Sequence, residues 1–346
     1  MAVQAEQVPF TDKDLETEES MWNLYERWRA VYASPSGDLA DKISRFEVFK
    51  KNARYVSESN KKKGMTYKLG LNKFSDMTME EFTAKYTGAR PGPLAGLERT
   101  TTSTASRASV ASDVPSSWDW RDYGAVTPVK DQKNCSCCWA FSVVAAVESI
   151  NKIKTGELLT LSEQQVLDCS GAGDCKWGYP KSAFDYAIKT GITEDSNGQP
   201  PYYPPYKAWK DVCKFDPTKT PIVKITGQSK VAYGDEEALM NAVYHQPVAV
   251  LIEASDAFRS YTGGVFNGPC GTATNHAVLV VGYGKVHNGP RYWIVKNSWN
   301  TTWGENGYIR MIRDIEADEG ICGITTWALY PTGVAPSTTA ATVAAY

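Results

Sequence analysis

Residues 133–142, KNCSCCWAFS, put three cysteines into four positions ahead of an apolar run. Thiols so crowded fit a redox pair, a metal clip, or a nucleophile beside a structural disulfide. A thiol attacks as the thiolate, which a helix N-terminus and a nearby imidazolium stabilise. Cys138, at the start of the apolar run, is the candidate nucleophile. Only three histidines are available as its partner. His287 sits in a polar turn, KVHNGP, and His245 precedes Gln-Pro at a helix end, so both read as solvent-facing. His276 enters the apolar strand NHAVLVVGYG, where an unpartnered imidazole would be costly. The next strand ends in VKNSW and supplies Asn297, an amide able to accept from the second ring nitrogen and fix the tautomer. Trp299 stands beside it to keep water from that bond. Spacing alone also fits a purely structural histidine.

The elements that must position these residues fall into two parts. Met21, Tyr25, Trp28 and Tyr32 recur at helical spacing, and SPSG (34–37) stops that helix. A second helix is expected over about Leu39–Asn60, with Ile43, Phe46, Phe49, Ala53 and Val56 buried and Arg45, Lys50, Lys51 and Arg54 largely opposite. Residues 88–112 have the Ser, Thr, Pro and Gly content of an exposed linker with no face to bury. Beyond it, the run from Trp139 to Ile153 is apolar almost all round and predicts a central buried helix. Ser162 and Gln165 predict a capping box opening SEQQVLDC. After about Pro221 the segments PVAVLIEA, HAVLVVGYG, RYWIVKNSW and GYIRMIRD read as strands. Helices first and strands later argue for an α+β fold in two lobes. The expected division is 1–87 helical, 88–112 linker, 113–331 main domain (lobes about 113–220 and 221–331), and 332–346 disordered tail.

Across 346 residues, Lys plus Arg is 37 against 39 for Asp plus Glu, so no long-range field would collect nucleic acid or anionic membrane. No apolar run is long enough to cross a bilayer. Eight cysteines fit an oxidising compartment. A secretory leader is therefore expected to have preceded this sequence. The sequon at Asn300 is a glycosylation candidate; a second, at Asn134, lies in the cysteine cluster and is expected to be unused.

Cys138, His276 and Asn297 occur in the order and approximate spacing of the papain and cathepsin cysteine proteases. The sequence resembles a papain-type cysteine peptidase of the plant group that includes bromelain, over nearly the whole chain. WDWRDYGAVTPVKDQ, CCWAFS, LSEQQVLDC, GVFNGPCGT, NHAVLVVGYG, KNSW and WGENGYIR carry the likeness. The resemblance implies a papain-like fold: a helical left lobe, a β-barrel-like right lobe, a cleft between them and an inhibitory prodomain ahead. It implies Cys138 as nucleophile, His276 as general base and acid, Asn297 as the orienting residue, and Gln132 as oxyanion donor with the Cys138 amide. Gly178 would be the backbone edge for an extended substrate. Tyr179, Pro180, Leu251, Thr274, Ala277 and Trp327 would line the pocket for the side chain two residues before the cut. With no acid on its floor, that pocket is expected to prefer small or medium apolar residues.

The resemblance also pairs Cys135 with Cys175, Cys169 with Cys213, and Cys270 with Cys322. The leading segment resembles a cathepsin L-type propeptide through Asp41, Arg45, Phe49, Asn52, Val56 and Asn60, followed by Gly70, Asn72, Phe74 and Asp76. Asp76, if ion-paired, would lose its pair on protonation, so acid-triggered release is expected. Implied partners are peptide substrates, the propeptide in cis and cystatin-type inhibitors, with a monomeric chain and neither metal nor other cofactor.

Three positions depart from the family pattern. Ser136 replaces a glycine, Trp177 stands where the family usually has the first of two glycines, and Cys137 replaces a small residue. Cys137 could form a strained disulfide with Cys138. A disulfide oxidoreductase using Cys135 and Cys138, a metal clip, and a non-catalytic storage or defence relative are the alternative readings.

Overall fold

The computed structural model describes residues 8–32, 38–92, 114–195, 202–216 and 222–335. The SPSG stop, most of the expected linker and the end of the expected tail lie outside these.

In the leading segment α1 (Glu18–Tyr32) and α2 (Leu39–Asn60) pack as a hairpin. Met21, Leu24, Tyr25 and Trp28 of α1 are buried with Phe46, Phe49 and Ala53 of α2. The Tyr25 and Trp28 rings lie 5.0 and 5.4 Å from Phe49. Two α2 positions reverse the expectation. Ile43 is 48% exposed, while its neighbour Lys42 faces α1 with its ammonium 4.9 Å from the Trp22 ring. Lys50 is buried: its ammonium lies 4.8 Å over the Phe46 ring and pairs with Glu18 and Glu47 at 2.6 and 2.8 Å, which keeps the charge satisfied.

After α2, β1 (Tyr67–Leu69) is held by Asn60, whose amide donates to the Leu69 carbonyl at 2.8 Å and accepts from its N–H at 3.0 Å. α3 (Met79–Tyr86) opens on a full capping box between Thr78 and Glu81. The rest of the chain forms β2 (Trp118–Asp119), α4 (Cys138–Thr155), α5 (Glu163–Cys169), α6 (Pro180–Lys189), β3 (Ile192–Thr193), β4 (Ile222–Val223) and β5 (Gln228–Lys230). It continues through α7 (Glu236–His245), β6 (Val248–Ile252), β7 (Tyr261–Phe266), β8 (His276–Lys285), β9 (Arg291–Lys296), β10 (Tyr308–Ile312) and β11 (Ala328–Pro331).

One sheet runs β1-β7-β10-β9-β8-β6-β11-β5, with β2 on β8. Only β7 and β10 are parallel. The sheet does not close, correcting the expected barrel-like lobe: one end is a strand of the leading segment, the other is β5. α4 is buried from Cys138 to Asn151 between the smaller helices and the sheet. α5 begins with half the expected box. Ser162 accepts from the Gln165 N–H at 3.1 Å, but the Gln165 side chain turns to Tyr186, Gly191 and Thr193.

The lobes exchange their ends, so the boundary expected near 220 is not a clean one. β2 pairs with β8 and Trp118 packs on Tyr244 of α7, which puts the start of the main domain on the β lobe. β4 pairs back to β3 in the helical lobe. Residues 332–335 are not free tail: Thr332, Gly333 and Ala335 hydrogen-bond to Gly227, Thr226 and Lys224.

Candidate active site

The loop before α4 is fixed from three sides. The Gln132 N–H donates to the Ser298 carbonyl at 2.9 Å, tying it to the end of β9. Cys135 is bonded to Cys175, and the Ser136 N–H donates to the Cys175 carbonyl at 3.0 Å. The other disulfides are Cys169–Cys213 and Cys270–Cys322. Cys135 is thus not available to Cys138, which removes the C-x-x-C redox pair. Cys137 and Cys138 are free and buried, and Cys137 Sγ turns to the Tyr206 hydroxyl at 3.1 Å. Among the described residues no His/Cys/Asp/Glu cluster suits a metal ion.

Cys138 is the first residue of α4, so its sulfur lies at the positive end of a buried helix. Across the cleft His276 opens β8 and Asn297 follows β9. His276 Nε2 and Asn297 Oδ1 are 2.9 Å apart. Asn297 Oδ1 also accepts the Ser298 N–H at 2.8 Å, which identifies that atom as the oxygen. An acceptor there requires the proton on Nε2, so Nδ1, which has no partner among the described residues, carries the lone pair. Trp299 stacks on the imidazole at 4.5 Å and seals it. His245 and His287 are exposed.

The leading segment covers this pair. The Cys138 sulfur is approached by backbone amides of Ala277, Ala89, Gly88 and Trp139. Burial drives the thiol up to about 11 despite those amides, and drives the imidazole down to about 4 despite its bond to Asn297. The expected thiolate–imidazolium pair is therefore neutral in this covered state, because water is excluded from both groups. The Gln132 amide is also occupied: Nε2 donates to the Tyr86 and Cys135 carbonyls at 3.2 and 2.9 Å, and Oε1 accepts from Ser298 Oγ at 2.7 Å.

Residues 88–90, expected as exposed linker, lie in the cleft. The Gly178 N–H donates to the Gly88 carbonyl at 2.8 Å, and its own carbonyl accepts from the Arg90 N–H at 3.0 Å. A Cβ on Gly178 would come within 2.4 Å of the Trp139 ring, and one on Gly88 within 2.3 Å of the Ser136 carbonyl. Only glycines allow both close approaches. Ala89 is buried in the cluster that holds Leu251, Ala277 and Trp327, with Pro180 buried and Tyr179 and Thr274 partly buried nearby in the chain.

Comparison with known proteins decides the family. Residues 114–332 match the papain family cysteine proteases, and residues 25–82 match the cathepsin propeptide inhibitor domain. The chain belongs to the papain family. Among curated relatives, thiol protease SEN102 of Hemerocallis is 47% identical, with 94% of this chain and 90% of that protein covered. Fruit bromelain of Ananas comosus is 43% identical, with 92% and 88% covered. Among solved structures, a recombinant stem bromelain precursor is 44% identical over 90% of this chain and 99% of its own, with a TM-score of 0.81. The chain is a cysteine endopeptidase zymogen, and its papain-like fold includes the inhibitor domain.

That inhibitor domain docks through residues the propeptide motif supplies. Asn52 donates to the Ser75 and Met77 carbonyls and accepts from Arg259 of the peptidase domain. Asn72 donates to the Arg259 carbonyl, and Gly70 N–H to the Ser260 carbonyl. Phe74 and Phe82 pack edge-on against Trp299, while Phe49 and Val56 fill the cores behind them. Asp41 lies 3.7 Å from Arg45. Asp76 departs from its expected role: it makes no ion pair among the described residues, because Arg45 pairs with Glu81 at 2.7 Å and meets only the Asp76 main-chain carbonyl. Burial instead raises Asp76 to about 6.

Sequence reasoning missed a buried ionic cluster behind Asn297. Lys130 bridges Glu148 and Glu163 at 2.7 and 2.6 Å, and Lys296 donates to Thr127 Oγ1, which donates in turn to Glu148. Burial lowers Lys296 to about 8 and raises Glu163. A lysine two residues before Gln132 and another just before Asn297 were the available signal.

Proposed function

We propose that the papain-family zymogen works through Cys138, His276, Asn297 and Gln132. Once residues 88–90 leave, water returns and proton transfer from Sγ to His276 Nδ1 gives the reactive ion pair. The thiolate attacks the peptide carbonyl, and the oxyanion accepts from the Gln132 amide and the Cys138 N–H, freed from Tyr86. His276 then protonates the departing amine, and water, deprotonated by the same nitrogen, hydrolyses the thioester. The single observation that carries this reading is the 2.9 Å His276–Asn297 bond, which leaves Nδ1 as base while Ala277, the next residue, lies against the sulfur.

Ala89 in the apolar cluster supports a pocket for small or medium apolar side chains from Leu251, Ala277 and Trp327. Three disulfides support passage through an oxidising secretory compartment, and in the Asn300 sequon the asparagine is partly exposed and Thr301 and Thr302 are exposed. No described helix is long and apolar enough to cross a membrane. Cystatin-type inhibitors would enter the same cleft, and the chain would act as a monomer.

The test is acid activation of the whole zymogen under reducing conditions, then a thiol-directed label and peptide mapping. Label on Cys138 together with peptide hydrolysis is expected. Label on Cys137 alone, without hydrolysis, would favour a non-catalytic relative.

A further inference from the structure

We propose that Trp177 makes the cleft selective for a cationic side chain, guanidinium or ammonium, on the third residue before the cleaved bond. The inference rests on the assignment of Cys138 and of the Gly178 edge made above. Gly178 pairs with Gly88 and Arg90 on either side of Ala89, at 2.8 and 3.0 Å. The Gly88 and Ala89 amides both lie against the Cys138 sulfur, and Arg90, the next residue, pairs with the Gly178 carbonyl, so the segment leads outward from the thiol toward Arg90. Ala89 is buried in the same apolar cluster as Leu251, Ala277 and Trp327, and Arg90 is the next residue along. Its guanidinium carbon stands 4.7 Å from the centroid of the Trp177 ring, inside the ~6 Å range of a cation–π contact.

The turn that carries the ring is held by its own hydrogen bonds. The Asp174 N–H donates to the Trp177 carbonyl at 2.9 Å, and Asp174 Oδ1 accepts from the Lys176 and Trp177 N–H groups at 2.7 and 3.2 Å. The Cys135–Cys175 disulfide anchors the same turn, and Tyr179 meets Trp177 edge-on at 5.3 Å. Trp177 keeps 36% exposure even beneath Arg90. The Asp174 carboxylate next in the turn adds negative charge, which the exposed Lys176 partly offsets. A substrate pairing with Gly178 has its pocket residue where Ala89 lies and its next outward residue where Arg90 lies. A glycine at 177 would offer that side chain no face.

The test uses mature enzyme released from the full zymogen, with active sites counted by the thiol-directed label. Quenched peptides share alanine as the pocket residue and differ only one position outward: Arg, Lys, Gln or Glu. Arg and Lys should exceed Gln in kcat/KM by roughly two- to fivefold, the scale of an exposed cation–π contact. Trp177→Leu should bring the Arg-to-Gln ratio to about one. Trp177→Phe, which keeps a ring, should keep part of it, and serves as the comparison if the leucine variant does not mature. Equal rates for Arg and Gln in the parent enzyme, or a ratio unchanged in Trp177→Leu, would overturn the proposal. A parent enzyme that labels at Cys138 and cleaves peptides without this ratio sinks the Trp177 assignment alone. One that cleaves none of them sinks the thiol assignment and this one with it.

Discussion

At Ser136 a single added side chain changes what the cleft does to its own inhibitor. The hydroxyl donates to the Ala84 carbonyl at 2.8 Å, at the end of α3, and the main-chain carbonyl sits where any Cβ on Gly88 would go. The residue that departs from the family pattern is thus a latch on the propeptide. Ser136→Gly loses one hydrogen bond, about 0.5–1.5 kcal/mol. The intact zymogen at pH 7 should then react with a thiol label about two- to tenfold faster at Cys138; an unchanged rate would show the bond adds nothing to latency. The same scale shows what spacing conveys. Cys138, His276 and Asn297 could be put forward from the sequence because the chemistry proposed for them demands particular residue types in a known order. The neutral state of the covered pair could not, because it depends on water excluded by residues 88–90, which are distant in sequence from all three.

Among elements, those with a strong period were legible and those held by distant partners were not. α1, α2 and α4 followed from their apolar faces, and β6, β8, β9 and β10 from runs of branched and aromatic residues. Lys50 misled because a lysine stem can be buried while its charge is paired. Residues 88–90 and 332–335 misled because small residues that look unstructured were used for close backbone pairing. The ionic cluster gave no periodic signal, since Lys130, Glu148, Glu163 and Lys296 come from a loop, α4, α5 and β9. Lys130→Met would leave the Glu148 and Glu163 carboxylates facing each other without their cation. A loss of about 3–5 kcal/mol is expected for breaking such a cluster from one side, read as a lower urea midpoint of the zymogen. A change below about 1 kcal/mol, the usual worth of an exposed pair, would mean the cluster is hydrated.

For the whole molecule, acidity acts through opposing groups. The Cys138–His276 pair holds the same number of protons covered and open, since the proton on Sγ in the covered pair moves to Nδ1 in the open one, so the pair itself adds little to the pH dependence near neutrality. Glu81 makes the closed form lose stability as pH falls. Burial pushes it upward, but Arg45 and the Thr78 N–H outweigh that and hold it below its ordinary 4.5, so its contribution is present above 4.5 and lost as pH falls further. Asp76 acts in the opposite direction. Raised by burial from 3.8 to about 6, it destabilises the folded zymogen at pH 7, and that cost disappears as it protonates between about 6 and 4. Asp76→Asn should therefore raise Tm at pH 7 and leave it nearly unchanged at pH 4. A lower Tm at pH 7 would restore the ion-paired reading of this carboxylate. Acid release should persist in this variant, measured as cleavage of the intact zymogen at pH 4 but not at pH 7.

β1 has a consequence that outlasts inhibition. It is the outermost strand of the sheet, and it takes the Val265 N–H through the Thr66 carbonyl at 2.8 Å and the Thr262 hydroxyl through the Lys68 carbonyl at 3.1 Å. When the propeptide departs, β7 becomes a bare rim with those donors unanswered. Maturation thus trades a plugged cleft for an uncovered backbone border on the β lobe, along which water must take the place of the inhibitor strand.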